Sequence, residues 1–88
     1  MDERERFLRA IQAAQGGGPL GPGGRVGVMA ITEQLGLDII NSKADRDHYQ
    51  ETTLGLRDAG YIECPANNYG VTCGIVELAE AGLRYVES

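Results

Sequence analysis

No stretch of the 88 residues reaches the ~18 consecutive apolar residues that a membrane-spanning helix needs. Cysteine is scarce: two residues exclude a disulfide-dense secreted miniprotein. Histidine occurs once, so a histidine-rich metal centre is excluded. Positive charge is short as well. Eight bases stand against thirteen acids, a net charge of −5, whereas small nucleic-acid-binding domains usually carry a basic excess. Any claim on nucleic acid must therefore rest on local charge. The start, MDERERFLRA, has acids where a signal peptide needs a basic start and an apolar stretch. The expectation is a cytoplasmic chain. A hydrophobic share of 42% with 24% charged residues is that of a globular protein, and it excludes a disordered tail or a collagen.

At roughly 100–200 residues per domain the chain is one domain, residues 1–88. A domain this small buries only about 60–65% of its unfolded surface, which leaves little room for a deep catalytic cavity. No period of about 20–50 residues repeats. Residues 2–15 place Phe7, Leu8, Ile11 and Ala14 at helical spacing, with Asp2, Glu3 and Glu5 in the first turn. Residues 16–24, GGGPLGPGG, can form neither helix nor central strand and read as a flexible internal connector. They lack the Gly-Lys-Ser/Thr ending of a phosphate loop. Residues 25–37 begin with a β-branched stub, with a short strand expected near 26–28, and become a helix through Val28, Ile31 and Leu35 that stops at Gly36.

Residues 38–44 connect to a helix over 45–60, whose inner face is Tyr49, Thr53 (or Thr52) and Leu56. Gly55 inside it costs roughly 1 kcal/mol relative to alanine. Residues 61–78 switch to period two around the turn cluster PANNYG and read as a β-hairpin. Val71, Cys73 and Ile75 alternate with Thr72 and Gly74, and the phase then slips to Val76 and Leu78, which a bulge near Gly74 explains. Residues 79–88 close as a helix with Leu83 and Val86 or Tyr85 facing in. The expected core is Phe7, Leu8, Ile11, Ile31, Leu35, Leu37, Tyr49, Leu56, Ile62, Val76, Leu78 and Leu83.

Three stretches, AITEQLGLD, ETTLGLRDAGYIE and VELAEAGLRYVE, follow one another in an order and at distances that resemble the winged helix-turn-helix family. Together they cover most of residues 26–87. The resemblance implies a mainly α fold with a small β-hairpin: a three-helix core, a two-stranded wing and a C-terminal helix. It also implies a DNA-binding transcriptional regulator, acting as a dimer through the third helix and the wing. The departures are specific. Ala79 stands where the family often has threonine, and the link at 16–24 is longer than usual. The helix over 45–60 holds two bases against four acids, and the wing region 61–78 has two glutamates and no base. These departures motivate the alternative, a winged-helix module that binds protein and not DNA.

In either reading the candidate contact residues are Ser42, Lys43, Arg46, His48, Gln50, Arg57, Asn67 and Asn68. Arg and Gln suit base edges, Ser and Lys suit phosphates, and the start of a recognition helix is what meets the major groove. Asp45 and Asp47 would repel phosphate at close range. No nucleophile–base arrangement can be assembled, so no enzymatic activity is expected. No C-x₂-C or H-x₃-H spacing prearranges a zinc site, and no cofactor is expected. Cys64 and Cys73 flank the hairpin turn. A cross-strand bond between them is possible, but cytosolic thiol pairs are normally reduced, and alternation puts both on the inner face. The expectation is two buried, reduced thiols.

Overall fold

Asp2 opens the first helix by accepting the Glu5 N–H at 2.7 Å on its side chain, which satisfies one of the orphan donors of the first turn. The computed structural model describes residues 2–15 and 24–87. In it, α1 (Glu3–Ala14) is followed by β1 (Arg25–Gly27), α2 (Val28–Leu35), α3 (Lys43–Asp58), β2 (Ile62–Asn68), β3 (Val71–Leu78) and α4 (Glu80–Glu87). The three strands form one antiparallel sheet in the order β1-β3-β2. The architecture is α+β, with four helices and a three-stranded sheet among the described residues. The connector expected over 16–24 lies outside them except for Gly24. No helix among the described residues is long and apolar enough to cross a membrane.

The periodicities place the elements to within two residues. The short strand expected near 26–28 occupies 25–27 and pairs Val26 with Val76, so the sheet has three strands where the hairpin alone would supply two. Val28 opens α2 instead of closing a strand. The third helix starts at Lys43, two residues before the expected 45, because Ser42 caps it by accepting the Asp45 N–H at 3.1 Å. Gly36 ends α2 with φ 72°, the left-handed conformation that glycine adopts without strain.

The slip in the hairpin is a break in register. Between Ala66↔Ile75 and Asn68↔Val71 the pairing shifts, and Gly74 lies in the shifted stretch. A Cβ on Gly74 would overlap the Asn68 backbone nitrogen, so only glycine fits this crossing.

The core joins α1 (Phe7, Leu8, Ile11), α2 (Ile31, Leu35), α3 (Tyr49, Leu56) and the sheet (Ile62, Val71, Cys73, Val76, Leu78). Two expected members are corrected: Leu37 and Leu83 are half-buried against this core, not in it. Leu37 follows the Gly36 stop and lies at the edge of the α2–α3 connection. Ile39, two residues on, fills the interior instead, at 2% exposed. On α4 the inward residue is Val86. The cysteines correct a further expectation. Cys64 and Cys73 are bonded to each other, with Cα atoms 4.8 Å apart. Cys73 is buried as expected, but Cys64 is only half-buried. The expectation of reduced thiols came from compartment, whereas the two side chains meet within the hairpin, in the stretch of β2 where its register with β3 breaks.

Candidate functional site

The α2–α3 connection is built by Asp38. One of its oxygens accepts the N–H groups of Ile40 (3.1 Å) and Asn41 (3.0 Å), and the other accepts the Asn41 side-chain amide at 3.2 Å. The Asn41 N–H, then the Asn41 amide, hold this carboxyl below its ordinary range. Asp45 ties the turn to α3 by accepting the Asp38 N–H at 2.8 Å. Ser42 and the first turn of α3 are thereby fixed. Ser42 is a candidate contact residue whose hydroxyl is committed to capping.

The cations of α3 are engaged one by one. Lys43 Nζ lies 2.7 Å from Asp47 Oδ2. Arg46 Nε donates to the Ile39 carbonyl at 3.1 Å, and Arg57 pairs with its neighbour Asp58 at 3.2 Å. Lys43 and Arg57 stand fourteen positions apart, roughly 21 Å along the helix axis. With Lys43 included, α3 carries three bases against four acids, a balance of −1. The hairpin adds Glu63 and Glu77 and no base.

His48 and Gln50 lie on opposite flanks of α3, about 200° apart at 100° per residue. His48 turns toward α1. Its Nε2 is 2.5 Å from Glu3 Oε2, and its ring meets Phe7 edge-on at 5.6 Å between centroids. Hydrogen bonding to Arg6, then to His48, holds the Glu3 carboxyl below its ordinary range. Gln50 turns toward the sheet, where its side-chain amide makes two bonds to Thr72. Asn67 and Asn68 are exposed at the end of β2, and the Asn68 side chain accepts the Tyr69 N–H at 3.1 Å.

The eight candidates do not converge on one patch. Lys43 and Arg46 share the start of α3, while Asn67 and Asn68 share the hairpin tip. Ser42, His48 and Gln50 are committed to contacts inside the fold, and Arg57 stands at the far end of the helix. Sequence reasoning missed two exposed apolar side chains that lie within two residues of candidates along the chain. Ile40, in the turn before α3, is 51% exposed, and Tyr69, at the hairpin tip, is 54% exposed. The position of Tyr69 inside the PANNYG turn cluster was the available signal, because turn tips face solvent. The adjacent Ile39 and Ile40 offer no period to separate inside from outside. Among the described residues no group of three or more His, Cys, Asp and Glu could hold a metal ion.

Compared with protein-family models, with curated proteins and with solved structures, the chain gives no significant match.

Proposed function

We propose that the chain is a winged helix-turn-helix domain whose third helix and wing bind a protein partner. The element order α1-β1-α2-α3-β2-β3-α4 supports the fold reading, with α2, a fixed turn and α3 in succession and the β2–β3 hairpin in the place of a wing. The observation that carries the binding mode is the charge state of α3: each of its three bases is engaged within the fold, and acids outnumber them. Exposed Ile40, in the turn before the acidic α3, and exposed Tyr69, at the hairpin tip, add apolar contact area. Such a surface suits a partner whose contacting face is basic with an apolar centre.

The second reading is a DNA-binding regulator, and one observation favours it. The Lys43–Asp47 pair is exposed on both sides (84% and 61%), and such pairs are worth only about 0–1 kcal/mol, so phosphate could displace Asp47. Fluorescence anisotropy with pooled genomic fragments at ~50 mM salt separates the two readings. The protein-binding reading expects no retention by protein shown to be folded. Retention with a log–log salt slope of about −0.9 per phosphate, up to about −5 for three bases in each half of a dimer, would establish the DNA reading instead.

A further inference from the structure

The two strands of the hairpin are held unequally. β3 lies in the middle of the sheet and is fastened to α3 at consecutive residues. The buried Tyr49 hydroxyl donates to the Cys73 carbonyl at 2.8 Å, and Gln50 bonds both the backbone N–H and the hydroxyl of Thr72. β2 is an edge strand. Beyond Glu63 its register with β3 shifts twice. Pro65 has no N–H to donate, and every residue from 65 to 70 is exposed. Within this loosely paired half, the covalent tie to the anchored strand is Cys64–Cys73.

We propose that the Cys64–Cys73 bond is a redox-operated clasp on the hairpin, which reduction by a dithiol opens to release residues 65–70 while the helical core stays folded. Cys73 is fully buried and Cys64 half-buried, so attack falls on the Cys64 sulfur. A thiolate of the reductant bonds to Cys64 Sγ, the Cys64–Cys73 bond breaks, and Cys73 leaves as a thiolate that takes a proton. The second thiolate of the reductant then attacks the reductant's own sulfur in the mixed disulfide. This expels Cys64 as a thiolate, which is also protonated. The protein gains two electrons and two protons, and the dithiol becomes a disulfide. The effect stays local because the bond closes a sequence separation of only nine within one hairpin, and short loops gain least from a cross-link. Asn67, Asn68 and Tyr69 lie on the released segment, so the redox state sets how the wing is presented.

The test is native-state hydrogen exchange on the full chain, oxidised and after excess dithiothreitol, with the Cys64→Ala/Cys73→Ala double variant beside it. Reduction should speed exchange at residues 66–70 by about tenfold or more and leave the buried amides of α1 and α3 within about twofold. The double variant should show the reduced pattern and ignore the reductant. Equal acceleration throughout the chain would mean that the bond staples the whole domain, and an unchanged hairpin would mean that it clasps nothing. Either result overturns the proposal, as would a bond that dithiothreitol opens only in denatured protein. If the double variant fails to fold, the oxidised and reduced natural protein decides alone.

Discussion

Gln50 and Thr72 close a two-bond ring between α3 and β3: Gln50 Nε2 donates to Thr72 Oγ1 and Gln50 Oε1 accepts the Thr72 N–H, each at 2.9 Å. The amide that a DNA-reading helix would turn to a base edge is instead fastening the hairpin. Gln50→Ala should lower stability by about 1 kcal/mol, because each net hydrogen bond is worth roughly 0.5–1.5 kcal/mol and the site is partly solvated. A double-mutant cycle with Thr72→Val, read by denaturant midpoint, should give a coupling between the two side chains. A single-variant loss below about 0.3 kcal/mol would show that solvent replaces the ring at no cost.

Gly55 and Gly82 are both helical glycines with opposite surroundings. A Cβ on Gly55 would meet nothing within 4 Å, whereas one on Gly82 would overlap the Tyr61 carbonyl oxygen, where α4 crosses the start of β2. Gly55→Ala should therefore stabilise by about 0.5–1 kcal/mol through helix propensity alone. Gly82→Ala should destabilise by about 1–3 kcal/mol through overpacking. Midpoint shifts at constant denaturant slope measure both. The same sign for the two variants would contradict this packing.

Those two glycines show where local pattern stops informing. The helices and the hairpin were legible because the apolar spacing of Phe7, Leu8 and Ile11, of Tyr49 and Leu56, and of Val71 and Cys73 is a property of neighbouring residues. The slip at Gly74 was legible for the same reason. The start of α3 was not, since Lys43 and Ala44 carry no apolar signal and only the Ser42 cap marks the boundary. The candidate site was legible in residue type and not in use. His48 meets Glu3 across 45 positions and Gln50 meets Thr72 across 22. No local rule reports that these side chains are already occupied. The cysteine expectation failed because compartment outweighed geometry in the reading, although the flanking of a tight turn had put the pair within reach.

Tyr49 and Leu56 bury the inner face of α3 by different means, and the two should separate in size. Leu56 is 1% exposed and belongs to the apolar core, so Leu56→Ala should cost about 2–5 kcal/mol. In a domain holding roughly 5–10 kcal/mol in all, that is much of the stability. Tyr49→Phe keeps the ring and removes only the hydroxyl bonded to Cys73, so about 1–2 kcal/mol should be lost, including the cost of an unpaired carbonyl. Burial also pushes the Tyr49 phenol well above its ordinary range, so its absorbance should not titrate before alkaline unfolding. A Leu56→Ala loss under ~0.5 kcal/mol, typical of surface sites, would overturn the assigned face.

Acid should destabilise the fold through three carboxylates at its joints. Asp2 is lowered by the Glu5 N–H and then by the Tyr85 hydroxyl, Glu3 by Arg6 and then His48, and Asp38 by the Asn41 N–H and side chain. A depressed folded-state value means that the unfolded chain takes up protons first as pH falls. The stabilisation is present above the unfolded values, near pH 4, and is lost as pH drops through the folded ones. The urea midpoint should thus hold steady from about pH 7 to 5 and fall below about pH 4. Asp38→Asn keeps an acceptor for the Ile40 and Asn41 N–H groups but cannot titrate, so its acid branch should be shallower than that of the natural chain. A midpoint that does not move between about pH 5 and 2 would show that these carboxylates are bonded no better in the folded chain than in the unfolded one. An Asp38→Asn branch as steep as the original would remove Asp38 from the account and leave the slope to Asp2 and Glu3.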